Sequence, residues 1–242
     1  MFPSLHLIRL GDFALLGPQS SGKEPVMDGF SRRFFLAGVA LAVVATAPAA
    51  AQSPRLNDAD RADIARVETY LAGIKTLEAR FLQIGPDGST AEGKFYLSRP
   101  GKLRLDYDAP NPNLLIADGR ALAHIDRSLK TISYLPLDST PAGVLVRADV
   151  KLAGDVTVTG IERGPGVLRV GIVQTSDPRA GRLILEFAER PFQLSSWRVI
   201  DGQGLTTRIT LLDPRDGVAI AADRFTIVDP NQQRLLEPGR ER

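Results

Sequence analysis

Apolar residues recur at every second position through residues 93–107, GKFYLSRPGKLRLDY, and that alternation leaves the chain few choices of fold. Phe95, Leu97, Leu103, Leu105 and Tyr107 share one parity, while Lys94, Ser98, Arg104 and Asp106 share the other. A period of two belongs to a strand with one dry face and one wet face. Pro100-Gly101 divides the run into a hairpin. A two-residue loop there would set Leu97 against Arg104 and mix the faces. A three-residue loop over residues 100–102 sets Leu97 against Leu105 and Phe95 against Tyr107, so this is the expected register. Arg99 then falls on the apolar side. A guanidinium buried bare costs several kcal/mol, so Arg99 requires hydrogen-bond acceptors nearby.

Similar short runs fill most of the remaining chain. Strands are expected at residues 79–84, 113–117, 120–126, 131–135, 156–162, 167–175, 183–188, 193–200, 205–212 and 224–228. Asp118-Gly119 is the strongest short hairpin signal, and GPDGS, Gly164-Pro165-Gly166 and DGQG mark further turns. About eleven strands with few helix-sized gaps predict a mainly β chain with accessory helices, α+β in class. An antiparallel barrel or strongly curved sheet follows, because curling limits exposed edges.

Two segments break this rhythm. Asn57 or Asp58 can cap a helix whose first turns hold Asp58, Asp60 and Asp63, acids that favour the positive end of the helix dipole. Ile64, Val67, Leu71 and Ile74, then Leu77 or Phe81, continue at helical spacing, which predicts roughly five turns ending before Ala79. Its apolar stripe must cover something. In residues 136–150, Thr140 as cap with Pro141 at the first helical position predicts a short helix carrying Val144, Leu145 and Val146.

Composition excludes several functions. There is no cysteine, so thiolate metal sites, cysteine nucleophiles and a lipid-modified N-terminal cysteine are ruled out. Of two histidines, His6 precedes the expected mature chain, and His124 is expected to be an ordinary polar strand residue. Residues 1–51 hold four of the 30 Lys/Arg and three of the 28 Asp/Glu, which leaves 26 against 25. A chain so near neutrality, without basic clusters interleaved with aromatics, is not expected to bind nucleic acid. No nucleophile elbow, phosphate loop, dinucleotide fingerprint or metal-ligand spacing occurs. The pairs Asp106/Asp108 and Glu186/Glu189 read as solvated faces. No enzyme, cofactor or metal is expected.

The N-terminus reads as an export address. Ser31-Arg32-Arg33-Phe34-Phe35-Leu36-Ala37 precedes an uncharged run ending AVVATAPAAAQ, the order of a cleaved signal with small residues at Ala49 and Ala51. The paired arginines resemble the twin-arginine motif. Met27 offers an alternative start at the usual distance before such a signal. Residues 1–51 are thus an extension and signal peptide, and residues 52–242 a single domain whose end, residues 235–242, is a frayed tail.

TLEARFLQ after the first helix, then GKFYLSRPGKLRLDY, LLIADGRAL, LPLDSTPAGVLV and the closing AADRFTIV resemble, in that order, the periplasmic outer-membrane lipoprotein carrier family (LolA). The resemblance implies an incomplete antiparallel barrel with a helical lid over a hydrophobic cavity. It implies a monomeric periplasmic chaperone that takes acylated lipoproteins from an inner-membrane lipoprotein-releasing transporter and delivers them to an outer-membrane lipoprotein receptor. Arg99 matches the arginine that latches the lid. Phe95, Leu97, Leu103, Leu105 and Tyr107 would line the acyl-chain cavity, and Ile64, Val67, Leu71, Ile74, Val144 and Leu145 would face it from the lid. A lipid- or glycolipid-binding shuttle of the same fold is the alternative. N-terminal sequencing of the exported protein should find a start near Gln52; an intact run from Phe34 to Ala51 would overturn the signal assignment.

Overall fold

The computed structural model describes residues 56–136 and 141–229. The expected signal peptide, the Thr140 cap and the C-terminal tail lie outside these residues. Helix α1, Asp58–Gly73, opens on a capping box. Asn57 Oδ1 accepts from the Asp60 amide at 2.9 Å, and Asp60 Oδ2 accepts from the Asn57 amide at 3.0 Å. Each side chain thereby satisfies an amide that the helix start leaves unpaired. The helix is 16 residues long, shorter than expected. It stops at Gly73, a poor helix former, and Ile74 is already extended. Leu77 and Phe81 therefore stand on the first strand rather than on the helix stripe.

Eleven strands follow: β1 Thr76–Ile84, β2 Thr90–Ser98, β3 Lys102–Tyr107, β4 Asn113–Asp118, β5 Ala121–Asp126, β6 Thr131–Pro136, β7 Val156–Gly164, β8 Val167–Gln174, β9 Gly181–Glu189, β10 Phe192–Asp201 and β11 Thr206–Asp216. They form one antiparallel sheet in the order β6-β5-β4-β3-β2-β1-β11-β10-β9-β8-β7. Two meanders, β1–β6 and β7–β11, are thus joined where β1 pairs with β11. β6 and β7 each have one neighbour, so the barrel is incomplete. Register shifts at Glu78/Arg80, Leu194/Ser196 and Val158/Gly160 mark bulges, which add local twist and bend the strands.

The β2–β3 register differs from expectation. The loop is Arg99-Pro100-Gly101, which pairs Ser98 with Lys102, Leu97 with Leu103, Phe95 with Leu105 and Gly93 with Tyr107. Gly101 has φ +78°, the left-handed conformation required at the third position of such a loop. Moving the loop by one residue changes each partner by two, so the faces are preserved. Residues 224–228 also depart from expectation: Ala222–Phe225 forms a 3-10 turn. β3 and β4 beneath it already have neighbours on both edges, so the segment packs through side chains instead. Arg104 Nη1 donates to the Arg224 carbonyl at 3.0 Å, and Arg224 lies over the Tyr96 ring at 4.9 Å.

The main core lies between the concave face of the sheet and two covers, α1 and the 3-10 helix Pro141–Val146. The latter sits in the link between β6 and β7, the two strands at the open edges. A second cluster, Leu114, Ile116, Ala123 and Ile125 with Ile132 and Ile227, occupies the convex face of β4–β6. This explains the unbroken apolar run in LLIA, since strands covered on both sides lose their alternation. Within the main core, Gly93 lies beneath Phe81. A Cβ there would stand 2.2 Å from the Asp106 carbonyl oxygen and 2.6 Å from the Phe81 ring. Gly93→Ala should lower unfolding free energy by about 2 kcal/mol or more in chemical denaturation, as overpacking does; unchanged stability would contradict this packing.

Candidate functional site

The concave face gathers its lining from both meanders. Phe95, Leu97, Leu103, Leu105 and Tyr107 are all buried in the main core, on one side of β2 and β3. Their shared side was the part of the hairpin reading that the register change left intact. Phe81 and Tyr107 meet edge to face with centroids 5.1 Å apart, and Phe95 packs on Trp197 at 5.5 Å. The opposite wall, absent from the sequence-predicted lining, comes from Leu168, Val170 and Ile172 on β8, Leu183, Leu185 and Phe187 on β9, Leu194 and Trp197 on β10, and Ile209 and Leu211 on β11. Alternation within those strands was visible, but it does not say which parity faces inward.

From above, α1 inserts Val67 and Leu71, with Ile64 half-buried beside them and Ile74 just past the helix end. The 3-10 helix adds Val144, Leu145 and Val146, followed by Val150 and Leu152. Aromatic packing fixes α1 to the second meander. Tyr70 makes edge contacts with Phe187 and Phe192 at 5.8 and 5.6 Å, and Arg66 lies 3.7 Å from the Phe192 ring centroid while pairing with Glu189 at 2.9 Å. Near the helix start, Arg163 of β7 pairs with Asp60 and Asp63 at 2.8 and 2.7 Å.

Arg99 joins the two covers. Its Nη1 donates to the Leu71 carbonyl and, at 3.2 Å, to the Ile74 carbonyl, while Nε donates to the Leu145 carbonyl at 2.9 Å. The first two acceptors lie at the C-terminal end of α1, where the dipole favours a cation, and the Leu71 carbonyl also accepts from the Ile74 amide at 3.3 Å. The adjoining Gly101 amide donates to the Val146 carbonyl at 2.7 Å. Among the described residues, the hydrogen bonds tying the 3-10 helix to the sheet come from this one turn. No carboxylate neutralises Arg99 in these contacts, and burial pulls its pKa down to about 10. It is therefore still charged at neutral pH.

At the far end of the concave face from Arg99 the lining becomes polar. Tyr107 Oη donates to Gln83 Oε1 at 2.6 Å, and His124 Nε2 lies 2.9 Å from Asn113 Oδ1. His124 is thus a half-buried member of the concave face, opposite Leu115. The carboxylate pairs do not act together. Asp106 is held by Arg104 and Arg127, Asp108 by Arg80, and Glu189 by Arg66. Glu186, expected on a solvated face, is instead buried, 3% exposed, because arginines from neighbouring strands close over it.

These features define a β-rich protein built around an apolar core, held between the concave face of an incomplete antiparallel sheet and two helical covers. Residues 72–228 match the family described as Outer membrane lipoprotein carrier protein LolA. The outer-membrane lipoprotein carrier protein of Pseudomonas aeruginosa (strain UCBPP-PA14) is 33% identical over 181 residues, covering 71% of this chain and 86% of that protein. Its counterpart in Pseudomonas syringae pv. syringae (strain B728a) is 31% identical over 190 residues, covering 74% and 90%. Among solved structures, a LolA superfamily protein from Nitrosomonas europaea has a TM-score of 0.38 and 10% identity, covering 68% of this chain and 97% of that one. The chain belongs to the LolA family.

Burial holds the His124 imidazole below its ordinary pKa of 6.5, with Asp126 opposing the shift. The unfolded chain then binds the proton more readily, so stability should fall as pH drops below 6.5 towards the folded value. Melting temperature should be lower near pH ~5.5 than at neutrality, and His124→Gln should shrink that difference. An identical pH dependence in the variant would remove His124 as its source.

Proposed function

We propose that this protein is a periplasmic carrier chaperone that shields the acyl chains of lipoproteins. It accepts them from an inner-membrane lipoprotein-releasing transporter and passes them to an outer-membrane receptor, acting as a monomer. The observation that carries this reading is the bonding of Arg99 to both covers of an apolar basin. The names of its relatives support lipoprotein as the cargo.

Burial of an acyl chain gains about 0.8 kcal/mol per methylene, so a chain of about fourteen methylenes gains on the order of 11 kcal/mol. Release from so deep a well needs a competitor. Hydrogen bonds from a charged donor contribute about 1.5–3 kcal/mol each. The three made by Arg99, offset by its desolvation and by a buried Nη2 without a partner, leave a few kcal/mol for closure. The apolar undersides of α1 and the 3-10 helix add to this when they reseat on the sheet. Cargo opens the basin because its burial outweighs the latch, and the latch lowers the net affinity enough for handover to a better-exposed acceptor. No nucleotide hydrolysis by the carrier is required.

The latch acts unequally on its two partners. Helix α1 retains its aromatic and ionic contacts with β7–β10 when Arg99 lets go, whereas the 3-10 helix depends on the β2–β3 turn for its polar attachment to the sheet. The 3-10 segment is therefore the more readily displaced cover. Arg99→Leu should give a folded protein that still takes up acylated lipoprotein but passes it to the receptor at least about tenfold more slowly, as expected when roughly 1.4 kcal/mol of competition is lost. Transfer at the normal rate would remove the latch. Free lipid in place of acylated protein in the carrier isolated from periplasm would overturn lipoprotein as the cargo.

A further inference from the structure

The convex face of β8–β11 carries a charge arrangement that the basin does not use. Glu186 of β9 points away from the core, between the inward-facing Leu185 and Phe187, yet it is buried. Arg208 Nη2 donates to its Oε2 at 2.9 Å. Arg198 Nε lies 2.9 Å from Oε1 and Arg169 Nε 3.4 Å from Oε2. Those two approaches lack hydrogen-bond geometry: Glu186 Oε1 and both Nε atoms are buried without a hydrogen-bond partner among the described residues. Three guanidinia thus converge on one carboxylate that hydrogen-bonds one of them.

The arrangement exceeds what closing the sheet requires. Arg198 and Arg208 are direct cross-strand partners, a like-charge placement that is destabilising unless an anion bridges it. Arg169 is also 3.8 Å from Glu162, which is exposed. Arg182, on the same side of β9 and exposed, has no ion pair among the described residues. Within this cluster four arginines, Arg169, Arg182, Arg198 and Arg208, therefore face two carboxylates, Glu186 and Glu162. Ile84, 38% exposed, sits opposite Arg208 on β1, and Leu212, 42% exposed, lies four residues further along β11, opposite Arg80. Arginine interleaved with exposed aliphatic surface is the composition of a protein interface, where arginine is enriched among the energetically dominant residues.

We propose that the convex face of β8–β11 is a docking surface for a carboxylate-rich segment of a partner protein. Glu186 hydrogen-bonds only one of the three arginines around it, so positive charge on this face is left for carboxylate groups that planar guanidinium forks suit. A bilayer is the poorer fit. Two carboxylates offset half of the positive charge of this cluster, and three of its guanidinia lie against Glu186 close to the sheet, which suits a bilayer surface poorly. The surface lies on the side of the sheet opposite the basin, so docking does not depend on the carrier reading.

The test uses the mature protein with a labelled oligo-glutamate peptide as probe, titrated at low and physiological salt, with phosphatidylglycerol vesicles in parallel. The peptide should bind in a salt-dependent manner and be preferred to the vesicles. Arg208→Gln and the exposed Arg182→Gln should each weaken binding several-fold, whereas Glu186→Gln, which raises the local charge, should tighten it. A purely structural cluster would not produce these opposite signs. Arg182 is exposed and has no ion pair among the described residues, so its variant remains informative if the others lose stability. The proposal is overturned by equal binding of Arg182→Gln and wild type, by no gain from a folded Glu186→Gln, or by preference for the vesicles.

Discussion

An antiparallel sheet with two open edges and an apolar inner face is not stable as an exposed object. Its concave side must be covered by something drawn from the same chain. The 3-10 helix between β6 and β7 meets part of that demand, because it buries Val144, Leu145 and Val146 in the main core. Helix α1 completes the cover from the second meander.

The two meanders do different work. β7–β10 hold α1 through Tyr70, Phe187, Phe192, Arg66 and Arg163, a set of aromatic and ionic contacts distributed along the helix. β2 and β3 hold the helix end and the 3-10 helix through a single turn. Distributed packing resists local opening, whereas a concentrated set of hydrogen bonds can be lost together.

Much of this was legible in the amino-acid order, for identifiable reasons. The side shared by Phe95, Leu97, Leu103, Leu105 and Tyr107 depended on parity alone and survived an error in the loop position. The end of α1 did not survive, because Leu77 and Phe81 are four residues apart, a spacing compatible with both a helix turn and two strand periods. Phe225 and Ile227 resembled strand residues because their apolar pattern reports burial without reporting hydrogen-bond partners. Glu186 could not be read as buried from its neighbours in sequence, since the arginines covering it come from β8, β10 and β11. The need of Arg99 for acceptors was clear from its parity, but the identity of those acceptors depends on how two distant segments meet.

Those acceptors are all main-chain oxygens: the carbonyls of Leu71, Ile74 and Leu145. Every amino acid supplies the same atom at such a position, so the fastening is indifferent to the identity of the side chains hanging below it. A roof anchored this way can be relined, bulkier or slimmer, without redesigning its clasp, provided the backbone path is retained.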